Sequence, residues 1–141
     1  MRMLAAASGG VGRVAVSVPE SPAMIRPVNY AFDDRTESVV FRSALGSKLG
    51  EGLSAGTASF EIDRIDFVER TGWSVLVGGA AEDVTEPAEI DRLDEFELEP
   101  WAPGLKTHWV RVHATSASAV GSFAYLTPCS ASACRARVFP C

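Results

Sequence analysis

The chain has no apolar run long enough to cross a bilayer. Its opening, "MRMLAAASGG", carries too short an apolar run for a secretory signal, so cytoplasm is the expected location. Cysteine is scarce: Cys129, Cys134 and Cys141 are the only 3 and crowd into the last 13 residues. They form no Cys-x-x-Cys pair, and both histidines lie upstream, so no common zinc pattern is present and no metal is expected. Unpaired thiols on a loose tail is the simpler reading. His108 and His113, the 2 histidines of the chain, are five apart on an extended segment and face opposite sides. They cannot work as an acid–base pair, and no Ser-His-Asp arrangement stands in for them. Basic excess is lacking too. Lys and Arg total 13 against 18 Asp and Glu, for a net charge of -5, which excludes a general nucleic-acid or anionic-membrane binder.

What is present fits one soluble globular domain. The 141 residues suffice for one core, and 47% hydrophobic with 22% charged residues is unlike a disordered chain. The acidity is local: 9 of the 18 acidic residues lie between Glu82 and Glu99, with Arg92 as the only base among them. Elsewhere the chain is mildly basic, so a local anion site remains open.

Most apolar stretches have a period of two or are short and β-branched, as strands are. "GRVAVSV" (12–18), "AMIRPVNYAF" (23–32) and "ESVVFRS" (37–43) come first, with Asp33 and Asp34 starting a hairpin turn. A short helix or turn around 45–53 follows, weakened by three glycines. "TASFEID" (57–63) alternates cleanly, and "WSVLVGGAAEDV" (73–84) is a long strand. Its Gly78–Gly79 pair signals a bulge or a close approach to the backbone. "TEPAEIDRLDEFELEP" (85–100) reads as a helix, with Pro87 in the first turn and Ile90 and Leu93 as a narrow apolar stripe. "KTHWVRVHA" (106–114) is the last strand, with Val110 and Val112 opposite Trp109 and Arg111. Six strands and one late helix predict a small, mostly antiparallel β-barrel over residues 1–114. Residues 115–141 read as an irregular Ser/Ala/Cys-containing tail.

Four stretches could carry a site. In "FRSALGSKL", Arg42, Ser43, Ser47 and Lys48 offer a forked cation, a point charge, hydroxyls and backbone N–H groups, the donors a phosphate needs. A solvated polar turn would look the same, and spacing leaves both readings open. In "RPVNY", Pro27 marks an edge or bulge beside which Asn29 could bond a planar heterocycle, while Tyr30 stacks on it or packs in the core. Trp73 is a core anchor or a ligand wall, with Ser74 facing the other way. In "PWAPG", Trp101 sits between prolines and covers a pocket or a subunit interface.

Taken in order, "GRVAVSV…IRPVNYAF…VVFRSALGSKL…ASFEIDRID…GWSVLVGGAAEDV…PWAPG…HWVRV" resembles the pyridoxamine 5'-phosphate oxidase-like FMN-binding split-barrel proteins. It is most similar to small actinobacterial-type members that are themselves like nitroimidazole-resistance proteins. The resemblance covers about residues 11–113 and implies a six-stranded split barrel with one or two short helices, paired into a homodimer with FMN at the interface. It gives Arg42, Ser43 and Lys48, with Ser47 nearby, to the flavin phosphate. It sets Val28 and Asn29 beside the isoalloxazine ring, adds Trp73 and Ser74 to the site, and puts Trp101 near the interface. Relatives close with a short strand bearing a Gly-Arg pair, where this chain reads "SAVGSFAYL". The substrate-binding C-terminal segment of the vitamin B6 oxidase is not recognisable here. The resemblance therefore points to an FMN-dependent oxidoreductase acting on a small or planar substrate, its chemistry carried by the cofactor. A non-catalytic flavin or F420 carrier or sensor, and a ligand-free interaction module, are the alternatives.

Overall fold

The computed structural model describes residues 8–17, 20–44 and 56–122. Among the described residues, seven strands and one helix follow in order. They are β1 (Val11–Val16), β2 (Met24–Asp33), β3 (Ser38–Ser43), β4 (Thr57–Asp66), β5 (Thr71–Asp83), α1 (Pro87–Asp94), β6 (His108–His113) and β7 (Ser116–Ser122). Strand order is β4-β1-β2-β3-β6-β5-β7, and β4 also pairs with β5, so six strands close into a barrel. Every pairing is antiparallel.

Two long strands make the barrel split. β2 pairs with β1 from Met24 to Asn29, then with β3 from Tyr30 to Asp33. β5 pairs with β4 from Thr71 to Ala80, while its other edge is shared between β7 (Gly72 to Gly78) and β6 (Ala81 to Asp83). Pro27 lies on the half of β2 that pairs with β1 alone, where its missing N–H leaves no gap in a second ladder. β7 falls where the sequence pattern fades and where relatives would place a closing strand. It is Ser/Ala-rich and largely exposed, so no alternation announces it.

Alternation sorts side chains into two cores. Val14, Tyr30, Phe32, Val39, Phe41, Phe60, Ile62, Val75, Val77, Val110 and Val112 fill the barrel. Tyr30 is fully buried, edge-on to Phe60 at 4.8 Å between ring centroids, which settles it as a core residue. Burial pushes its hydroxyl up to about 12. The opposite face of β2, β3 and β6 gives Ala31, Val40 and Trp109, which pack with Val84, Leu93, Leu98 and Ile90 under α1. Trp109 and Arg111 do face away from Val110 and Val112, but the helix covers them.

The helix is shorter than its sequence suggests. Pro87 opens it as expected, but it stops at Asp94 rather than running to 100. Ile90 and Leu93 supply only one apolar turn, and a left-handed Glu97 (φ 49°) then swings Leu98 back into the same cluster. Of the two readings of Gly78–Gly79, close approach holds. The β4–β5 register runs unbroken past both residues. A Cβ on Gly79 would collide with the carbonyl oxygen of His113. The helix or turn expected around 45–53 lies outside the described residues.

Candidate functional site

The corner where β2 passes from β1 to β3 carries the most unusual chemistry. Tyr30 pairs with Phe41, so the next residues outward, Asn29 and Arg42, come from adjacent strands and both face away from the barrel core. Arg42 is in turn paired with Trp109 on β6. Asn29 is only 8% exposed, and its Oδ1 accepts the main-chain N–H of Trp101 at 2.8 Å. That bond ties the "PWAPG" loop over the strand, while Trp101 as a whole stays 75% exposed.

Arg42 is held from two sides. Its Nη2 donates to Asp94 Oδ1 at 2.6 Å, and its guanidinium carbon lies 4.7 Å from the Trp109 ring centroid. The same Asp94 oxygen accepts Trp109 Nε1 at 2.8 Å. With Asp94 half exposed, the ion pair is worth at most about 1 kcal/mol, so its effect is to fix a geometry and a charge. Two buried donors here have no partner among the described residues, Asn29 Nδ2 and Arg42 Nε. A buried N–H left unpaired costs about 1–3 kcal/mol, which is the usual mark of a place awaiting an acceptor.

The other expected site residues are spread out. Val28 and Trp73 point inward and pack on the barrel core, and Ser43 is buried on the inner side of β3. Ser74 faces outward on β5, opposite to Trp73 as expected, in the row of Asp63 on β4. It stands three strands from Asn29, roughly 14 Å at normal strand spacing. The structure thus gathers Asn29, Arg42 and Trp101, and does not bring Trp73 or Ser74 to them within one chain. Ser47 and Lys48 lie outside the described residues.

A second polar cluster escaped the sequence reading. Asp33 ends β2 and begins the polar turn as expected, yet it is 1% exposed. Arg92 from α1 grips it with two bonds, of 2.6 and 3.2 Å, and also bonds Glu89 at 2.9 Å. Arg111 reaches Glu89 at 2.7 Å, and Glu82 Oε1 lies 3.1 Å from His113 Nε2. Burial alone would raise the Asp33 carboxyl, but hydrogen bonds from Arg92, Thr36 and the Arg35 N–H hold it below the usual carboxylate range. Hydrogen bonds from Arg92 and then Arg111 bring Glu89 down to about 2. These groups pair with one another and fasten α1 to the barrel, although Arg111 Nε is buried without a partner. The only signal in the sequence was Arg92, the lone base in an acidic stretch.

Comparison with known proteins agrees with this architecture. The family model described as pyridoxamine 5'-phosphate oxidase matches residues 1–134. The uncharacterized protein Rv0080 of Mycobacterium tuberculosis is 35% identical over 106 residues, which is 72% of this chain and 66% of that protein. The chain therefore spans just under two thirds, 66%, of the curated relatives it matches. Among solved structures, the FAD binding protein from Mycobacterium smegmatis is 31% identical with a TM-score of 0.65, over 82% of this chain and 86% of that one. The conserved protein DIP1874 from Corynebacterium diphtheriae is 33% identical with a TM-score of 0.65, over the same 82% and 86%.

Proposed function

Because the chain belongs to the pyridoxamine 5'-phosphate oxidase family, we propose that it binds a flavin, FMN in the first instance, and serves as an oxidoreductase on a small or planar substrate. The single observation that carries this reading is the pair of unpartnered donors, Asn29 Nδ2 and Arg42 Nε, on adjacent strands at one corner. Such a pair fits a ligand rich in ring carbonyls or ester oxygens. The FAD bound by the Mycobacterium smegmatis relative is one, and so is FMN.

In this reading the ring lies along Val28 and Asn29, under the loop that Trp101 anchors. The phosphate lies at the end of β3, where Ser43, Ser47 and Lys48 accompany Arg42. Trp73 and Ser74 stand too far from that corner to touch the same ligand within one chain. A homodimer in which they reach it from the second copy would unite the set, and Trp101 is exposed as an interface residue would be. A bound flavin supplies the hydride or electron transfer. The chain's part is to hold the ring, cover it and exclude water.

A carrier or sensor is the second reading, with F420 as the alternative cofactor. What favours it is that Asp33, Arg92, Glu89, Arg111, Glu82 and His113 are engaged with one another rather than turned to a substrate. The visible spectrum of the purified protein, before and after adding FMN, FAD or F420, tests both readings. A colourless protein that takes up none of the three overturns them. If flavin binds, reduction by NAD(P)H and reoxidation by candidate acceptors separates enzyme from carrier.

A further inference from the structure

We infer that Asn29 and Arg42 together cradle one phosphate at the fork where β2 parts from β3, with the Asn29 amide fixed as a donor by the Trp101 main chain. This rests on the flavin reading above and deepens it, adding Asn29 to the partners of the phosphate. Pairing between β2 and β3 ends at Tyr30 and Phe41. From Asn29 back to Met24, β2 pairs with β1, while Arg42 and Ser43 carry β3 on beside β6. Asn29 and Arg42 therefore stand on the two prongs of the fork, next to its closed end, and both face away from the barrel core.

Both prongs bring donors only. Oδ1 of Asn29 is committed to the Trp101 N–H at 2.8 Å, and a flipped amide would set Nδ2 against that N–H, donor to donor. The free end of this buried side chain is thus a donor, without a partner among the described residues. On the guanidinium, Asp94 takes Nη2 at 2.6 Å and the Trp109 ring takes one face, which leaves both Nε and Nη1 to give. Asp94 is half exposed, so solvent screens it and the guanidinium keeps its pull on an anion. A ring carbonyl could satisfy Asn29 but would leave the buried Nε of Arg42 unpaired. A phosphate has oxygens for both prongs and carries the charge that an arginine attracts. The ring then runs along β2 at Val28, and the Asn29 side chain leaves it for the phosphate.

The ratio of FMN to riboflavin affinity reads the cradle, because a shifted Trp101 loop would affect both ligands alike. Fluorescence titration of wild type, Asn29→Asp and Asn29→Leu measures it. Asn29→Asp keeps the acceptor for Trp101 and sets a carboxylate against the phosphate, while Asn29→Leu is neutral and donates nothing. We expect the ratio to fall at least about 10-fold in both variants, and further in Asn29→Asp. Once Arg42→Met is present, either substitution should cost FMN less than it does alone, since the two prongs share one group. Both variants keeping the ratio within about 2-fold of wild type would overturn the inference, whether or not riboflavin affinity falls. A wild type that binds neither flavin sinks the functional reading instead. Calorimetry with inorganic phosphate then decides the cradle, which stands if wild type binds the ion and Asn29→Asp does not, and falls otherwise.

Discussion

The main-chain N–H of Trp101 donates to Oδ1 of Asn29 across 2.8 Å, joining residues 72 apart in the chain. One end of this amide therefore holds a loop, and its other end, Nδ2, is a buried donor without a partner among the described residues. The two ends can be separated by mutation.

Asn29→Asp keeps an acceptor for Trp101 but removes the donor and adds a charge. The loop should stay in place, and flavin affinity should fall about 10-fold or more, the worth of one buried hydrogen bond plus a repulsive carboxylate. Asn29→Leu loses both ends, so the loop should also become sensitive to protease. Fluorescence titration and limited proteolysis of each variant read the two effects apart. Unchanged flavin affinity in Asn29→Asp would remove Asn29 from the site.

The Asp33–Arg92 contact predicts a pH dependence with a definite sign. Asp33 and Glu89 both titrate below their ordinary values in the folded protein, Glu89 at about 2. A carboxylate depressed in this way stabilises the fold above its unfolded value of roughly 4 and loses that stabilisation as pH falls through the folded value. Stability should therefore be level from neutral pH to about 5 and drop steeply from there towards 2. Arg92→Met leaves Asp33 charged and 1% exposed, so it should cost about 3 kcal/mol at pH 7 and flatten the acid limb. Urea melts of both proteins at several pH values check it. An acid limb of the same steepness in the variant would mean other carboxylates drive the loss.

Gly79 predicts a contrast between neighbours on β5. A Cβ at Gly79 would overlap the His113 carbonyl, which is backbone and cannot turn aside. A Cβ at Gly78 would meet the Ser116 hydroxyl at 2.9 Å, a group that can rotate. Gly79→Ala should cost about 2–3 kcal/mol or more by forcing β5 from β6, and Gly78→Ala less than about 1 kcal/mol. Thermal melts of the two variants side by side decide it. Equal melting temperatures would mean that the split is looser than the structure indicates.

These residues also show how far the sequence carries. The barrel strands were legible because Val14, Phe60, Val75 and their neighbours alternate, and alternation survives any arrangement of strands. Gly78–Gly79 leaves a bulge and a close approach both open from sequence, and the His113 carbonyl that decides between them is not local. Asp33 does begin the hairpin turn, its Oδ1 accepting the Arg35 N–H, but its burial is not legible because it depends on Arg92, which arrives from a helix 59 residues away. Trp109 and Arg111 were assigned to one face correctly, yet nothing local says that α1 covers that face. Asp94 went unnoticed for the same reason, since its role exists only once Arg42 and Trp109 are paired across β3 and β6. β7 buries too little to leave a pattern.

The phosphate assignment of Lys48 is open to a subtraction. FMN and riboflavin differ only by the phosphate, so the ratio of their affinities isolates whatever the protein does to that group. With Lys48 at the phosphate, Lys48→Ala should weaken FMN by about 10- to 100-fold, the worth of one charged hydrogen bond. Riboflavin should change by no more than about 2-fold, because nothing it carries needs a cation. Arg42→Met should likewise weaken FMN more than riboflavin, since Arg42 stands at the same end of β3. Titrating each variant with both ligands in low salt gives the four numbers needed. Similar losses of the two ligands in either variant would take that residue away from the phosphate.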